Sequence, residues 1–139
     1  MKQSDMRTSL AKVRGWGSAR SGTSHFIRQR LTALLLIPLT MWFISSLVHT
    51  AVSPDSEMLI RWLSSGVNTA ALVIMLIALF YHAAIGMQVI IEDYIHCPAI
   101  KLTTLLASNV IMLAFAAISI LAVLKLHLYV YPAIAVPPQ

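Results

Sequence analysis

The sequence predicts an all-α membrane protein built on three transmembrane helices. Two observations carry that expectation. Of 139 residues, 58% are hydrophobic and only 11% are charged, where soluble domains average about 25% charged. The apolar residues also cluster into three long runs, each about long enough to cross a hydrocarbon core at roughly 1.5 Å per helical residue. The length suits one domain, and no internal repeat is visible.

Residues 1–30 read as a basic N-terminal arm. The net charge is +5 with ten Lys and Arg in all. Seven of them fall in this arm: Lys2, Arg7, Lys12, Arg14, Arg20, Arg28 and Arg30. Basic residues beside apolar spans stay on the cytoplasmic side and set topology, a simpler cause than nucleic-acid binding, which is not expected. The arm is too long for the n-region of a signal peptide, and the apolar run after it is too long for an h-region. A mitochondrial transit peptide is the closer rival, because residues 1–25 hold Arg and Ser with only one acid, Asp5. The expectation is a retained, flexible arm.

The first span is Leu31–Val52, with a possible kink at Pro38 of the kind that neighbouring helices tolerate in membranes. The second is residues 67–91, and the third is residues 102–128. The three are expected to form one compact bundle. A Pro-rich tail, 129–139, follows on the outer side. With the arm inside, the loop 53–66 is outside, and its Asp55, Glu57 and single Arg61 fit that side. "SPDSE" at 53–57 reads as a turn leading into an outer helix. The loop 92–101 is then inside. In a bacterium the inner side of such an inner-membrane protein is the cytoplasm; in a mitochondrial inner membrane it is the matrix. Cys97, the single cysteine, excludes an internal disulfide and reads as structural beside Pro98.

Ionisable residues inside membrane spans are functional candidates by default. His49, near the outer end of its span, reads as an interfacial histidine reaching water. His82 lies deep within the second span, too far from either end to snorkel. It has two readings. One is a hydrogen bond to a backbone carbonyl or to a Ser, Thr or Asn of another helix, such as Asn109. The other is an axial ligand to iron, as neutral imidazole serves in haem proteins. Gly86, about 40° round the helix from His82, leaves room for a flat macrocycle or for a closely packed helix. Asp93 is eleven positions beyond His82; at about 100° per residue it returns to nearly the same face, about 16 Å nearer the inner surface. Tyr94 stands beside it. A phenol can donate to a quinone carbonyl and a carboxylate at the water boundary can deliver protons. The competing reading of both is an interfacial anchor. A six-coordinate haem needs two axial ligands. If His82 is one, the other comes from a different polypeptide.

"HAAIGMQVIIEDY", residues 82–94, resembles the signature of the smaller hydrophobic membrane-anchor subunit of succinate dehydrogenase (complex II). "GTSHFIRQRLTALLL", residues 22–36, resembles that family's entrance to its first span, where an Arg precedes a Thr-Ala pair. The resemblance covers roughly residues 20–128. It implies that His82 is an axial ligand to haem b, shared with a companion cytochrome b anchor subunit in a larger helix bundle. It implies that Tyr94 hydrogen-bonds ubiquinone, with Asp93 beside it at the quinone site. It also implies that Arg30 lies near the haem propionates and the quinone, and gives Gly86 the haem-packing role. Arg28, nearly opposite Arg30 on the helix, is expected to meet lipid phosphates or soluble subunits. The segment around Ser24 and His25 departs from some family members, so His25 receives no role. The chain has no flavin motif or cysteine cluster, so FAD and the iron–sulfur clusters belong to a flavoprotein and an iron–sulfur partner. The alternative from another class is a non-catalytic membrane scaffold or small transporter subunit, with His82 as a packing or proton-relay residue.

Overall fold

The computed structural model describes residues 20–53, 55 and 57–135; the arm up to residue 19 and the last four residues of the tail lie outside them. The described chain is helical in four segments. These are α1 (Arg20–Val52), α2 (Met58–Ser64), α3 (Gly66–Tyr94) and α4 (Pro98–Ala135). The long ones, α1, α3 and α4, are each long and apolar enough to cross a membrane. With 33, 29 and 38 residues, they run about 50, 44 and 57 Å at 1.5 Å per residue. Each exceeds the roughly 30 Å hydrocarbon thickness. The helices therefore extend past the apolar runs that announced them. Arg28 and Arg30 stand on α1 itself, α3 reaches Tyr94, and α4 continues through residues assigned to the tail.

Short polar side chains are satisfied within their own helices. In α1, Thr40 Oγ1 donates to the Leu36 carbonyl at 2.7 Å, Ser45 Oγ to Trp42 at 2.9 Å, and Thr50 Oγ1 to Ser46 at 2.8 Å. Such back-bonding keeps hydroxyls off the lipid. The connection between α1 and α2 makes the turn its sequence suggests. Ser53 Oγ accepts from the Asp55 amide, and Asp55 Oδ1 from the Glu57 amide. The turn leads into α2, where Arg61 pairs with Asp55 and, at 3.7 Å, with Glu57. Trp62 of α2 stacks on Trp42 of α1, with ring centroids 5.7 Å apart.

The expected compact bundle is not what forms. The central helix α3 packs against both α1 and α4, and α2 against α3 and α4, whereas α1 and α4 share no substantial contact. The spanning helices make an open layer with α3 in the middle. The consequence is visible in burial: Leu72, Met75, Ala78, Ile85 and Ile91, the buried hydrophobic residues among those described, all sit on α3. Large apolar side chains of α1 and α4, such as Leu34, Met41, Leu113 and Leu121, stay exposed. In water such surface would be prohibitive; in a membrane it faces lipid or another transmembrane subunit. The chain is a multi-pass membrane protein.

One polar cluster joins the start of α3 to the second half of α4. His127 Nδ1 of α4 lies 3.0 Å from the Leu63 carbonyl of α2 and 3.0 Å from Thr69 Oγ1 of α3. A carbonyl only accepts, so Nδ1 carries the proton. Thr69 is buried, at 7% exposure, and donates to the Ser65 carbonyl at 3.1 Å. Interhelical hydrogen bonds in membranes average about 0.6 kcal/mol and reach about 1.7. His127→Ala is therefore expected to destabilise the folded chain by about 1 kcal/mol, read as earlier thermal inactivation of the detergent-solubilised protein.

Candidate cofactor site

The stripe of buried residues along α3 fixes where its polar residues point. His82 is seven positions after Met75, about two turns on and within about 20° of it, so it faces the layer interior and is half-buried. Its Nδ1 lies 3.0 Å from Thr32 Oγ1 of α1. A threonine of another helix was among the partner types the sequence suggested, but Asn109 was the named example, and the structure replaces it. Asn109 instead lines a groove of about 530 Å³ between α3 and α4, with Tyr81 and Ala84. These two residues point about 100° and 200° away from His82 on α3, so Asn109 looks onto a different side of the helix.

The other histidine nitrogen, Nε2, has no hydrogen-bond partner among the described residues. A Cβ added at Gly86 would meet no heavy atom within 4 Å. The close helix that would explain this glycine is therefore not one of the described helices. No group of three or more His, Cys, Asp or Glu able to hold a bare metal ion occurs among the described residues. A haem asks for less, because the porphyrin supplies four of the iron's ligands and the protein only the axial ones. One imidazole with a held Nδ1, a bare Nε2 and an uncrowded glycine one turn away fits that demand.

At the C-terminal end of α3, Glu92 is engaged locally. Gln88 Nε2 donates to its carboxylate at 2.7 Å, and Lys101 Nζ donates to its backbone carbonyl at 2.9 Å. This leaves only residues 95–97 between α3 and α4. Asp93 and Tyr94 are exposed, Tyr94 at 79%, and neither side chain is tied up by a hydrogen bond among the described residues. Asp93 keeps the face of His82, while Tyr94 turns about 100° further round. Both stand in the last turn of a helix rather than in a loop, so their positions are set by α3.

Arg30 is exposed, with its guanidinium 4.5 Å over the Phe26 ring one turn earlier. It stands about 200° round α1 from Thr32 and touches none of His82, Asp93 or Tyr94. Arg28 is the nearer of the two arginines to the Thr32 face, and its Nε donates to the Ser24 carbonyl at 3.2 Å. His25 is seven positions before Thr32, hence on the same face of α1 about 10 Å nearer its N-terminus. Its Nε2 is buried without a hydrogen-bond partner. His49 is exposed near the C-terminal end of α1. Two functional candidates escaped the sequence reading. Thr32 was visible there only as half of a Thr-Ala pair. His25 was seen but had no pattern to interpret it.

Residues 4–123 match the family described as the succinate dehydrogenase/fumarate reductase transmembrane subunit. The chain is 38% identical over 105 residues to the succinate dehydrogenase hydrophobic membrane anchor subunit of Rickettsia bellii, covering 74% of this chain and 82% of that one. It is 36% identical over 92 residues to the protein of the same name from Rickettsia conorii, covering 66% and 72%. A succinate dehydrogenase membrane anchor subunit from Reclinomonas americana is 27% identical over 94 residues, covering 66% and 78%. The match takes in all three spanning helices down to position 123, His82 and the inner end of α3 included, and the chain belongs to the succinate dehydrogenase/fumarate reductase transmembrane-subunit family.

Proposed function

We propose that the chain is the hydrophobic membrane-anchor subunit of a succinate:ubiquinone oxidoreductase. The observation that carries the reading is the combination on α3 of His82, held by its Nδ1 with Nε2 bare, and of Asp93 and Tyr94 uncommitted at the inner end. Succinate oxidation to fumarate releases two electrons and two protons on a flavoprotein partner, and an iron–sulfur partner passes the electrons to the membrane. Ubiquinone takes up two electrons and two protons to become ubiquinol. On this chain, the Tyr94 hydroxyl donates to a quinone carbonyl oxygen. Asp93, in contact with water, relays protons to the reduced oxygens.

His82, through its unbonded Nε2, would hold the iron of haem b, with a companion cytochrome b subunit providing the other protein ligand. The haem, when bound, supplies a one-electron carrier within the bilayer. Arg30 is the candidate partner for a propionate, as an exposed guanidinium with no carboxylate on it among the described residues suits a charge-assisted pair. The His25 nitrogen, buried without a partner among the described residues, supports a neighbour from outside them, since leaving such a group buried and unbonded costs about 1–3 kcal/mol. The exposed flanks of the open layer support a companion transmembrane subunit in the same way. The reading puts the basic arm on the cytoplasmic side of a bacterial inner membrane, facing the soluble subunits; in a mitochondrial inner membrane the same side is the matrix.

Deleting the gene tests the anchor role. Succinate oxidation by an artificial dye should move from the membrane fraction to the soluble fraction. Dye activity that stays on the membrane would instead favour the scaffold or transporter reading. Gly86→Leu tests the haem-packing role. A Cβ at position 86 meets no heavy atom within 4 Å, so the variant is expected to insert normally while haem content per complex falls several-fold. Full haem content in that variant would return Gly86 to ordinary helix surface.

A further inference from the structure

Thr32 sits where it can decide the state of His82. Its Oγ1 is 3.0 Å from His82 Nδ1, 2.9 Å from the Gln29 carbonyl and 3.0 Å from the Arg28 carbonyl. A threonine hydroxyl has one proton and two acceptor lone pairs. Both carbonyls can only accept, and a threonine inside a helix commonly donates back to one of them. With its proton directed there, the hydroxyl presents a lone pair to His82. The imidazole must then donate from Nδ1, which places the remaining lone pair on Nε2.

We infer that Thr32 is a positioning residue that selects the Nδ1–H tautomer of His82 and fixes the ring plane for axial ligation through Nε2. The inference rests on the haem reading of His82 and deepens it. The relay runs from His82 Nδ1–H to Thr32 Oγ1, and from the Thr32 hydroxyl to the α1 backbone. Hydrogen bonds in such a chain polarise one another, and a donated Nδ1 proton makes the far nitrogen a stronger donor to a metal. Thr32 therefore couples the orientation of α1 to the electron density His82 offers. The hydroxyl is the operative group. Valine, of nearly the same shape, keeps the packing and removes the acceptor.

The test uses the whole complex purified with wild-type chain, Thr32→Val, Thr32→Ser and His82→Ala. The readouts are the midpoint potential of the b haem and the low-spin ferric electron paramagnetic resonance spectrum. A weaker axial donor stabilises ferric iron less, so Thr32→Val is expected to raise the potential and shift the largest g value. Thr32→Ser, which restores the hydroxyl, should return both towards wild type. Wild-type potential and g values in Thr32→Val, with the haem signal lost in His82→Ala, would overturn the positioning role while leaving the ligand intact. An unchanged haem signal in His82→Ala would remove the ligand reading itself, and this inference with it. If Thr32→Val does not assemble, Thr32→Ala removes the same hydroxyl with a smaller side chain and is read in the same way.

Discussion

His82→Ala is expected to abolish the reduced-minus-oxidised b-type absorption of the purified complex, with haem occupancy falling by more than about tenfold. Loss of an outer-shell partner alone typically costs 10–100-fold in metal affinity, and this change removes the iron's ligand itself. The substitution is mild for the chain. His82 is half-buried, its one hydrogen bond among the described residues is to Thr32, and Thr32 keeps its backbone acceptors. Helix propensity even improves, since alanine is the best helix former. Succinate oxidation measured with an artificial dye should therefore persist, because that chemistry lies on partner subunits. A complex that contains haem and keeps an unchanged spectrum in this variant would leave His82 as a helix-packing residue hydrogen-bonded to α1.

The contrast between His82 and Thr32 shows what a sequence of this kind discloses. The spanning helices were legible because lipid imposes a minimum apolar length, and three runs met it. Their true ends were not. An apolar run marks where the membrane is, and a helix continues past it wherever backbone hydrogen bonding still favours helix, as α1 does from Arg20 to Leu31. The shared face of His82 and Asp93 was legible because 100° per residue is a property of any helix. The open layer was not, since run lengths carry no information about which helix neighbours which. Thr32 stayed hidden for the same reason. It meets His82 across fifty positions of sequence, a separation that no local pattern spans. His127 carried no motif and stood at the edge of a run, yet it joins α2, α3 and α4. The names haem and ubiquinone came from family resemblance; helix geometry alone supplied only a buried imidazole and an acid on one stripe.

Tyr94→Phe is expected to lower the rate of ubiquinone reduction by about tenfold or more, with succinate oxidation by an artificial dye retained. The Tyr94 ring is exposed at 79% at the end of α3 and has no hydrogen-bond partner among the described residues. Removing its hydroxyl therefore breaks nothing in the fold. What it removes is a hydrogen bond to a quinone oxygen that gains negative charge on reduction. Hydrogen bonds to charged groups contribute about 1.5–3 kcal/mol, and each 1.36 kcal/mol of barrier is tenfold in rate. The bond matters more to the reduced species than to the neutral quinone, so the loss should fall on turnover more than on quinone affinity. The phenyl ring left behind still satisfies an interfacial anchor, which needs only an aromatic body at the membrane edge. The two readings of Tyr94 thus separate cleanly. An anchor tolerates phenylalanine with both activities intact, whereas a quinone ligand loses one activity and keeps the other. Equal loss of both would point to damaged assembly and would remove Tyr94 from the quinone site.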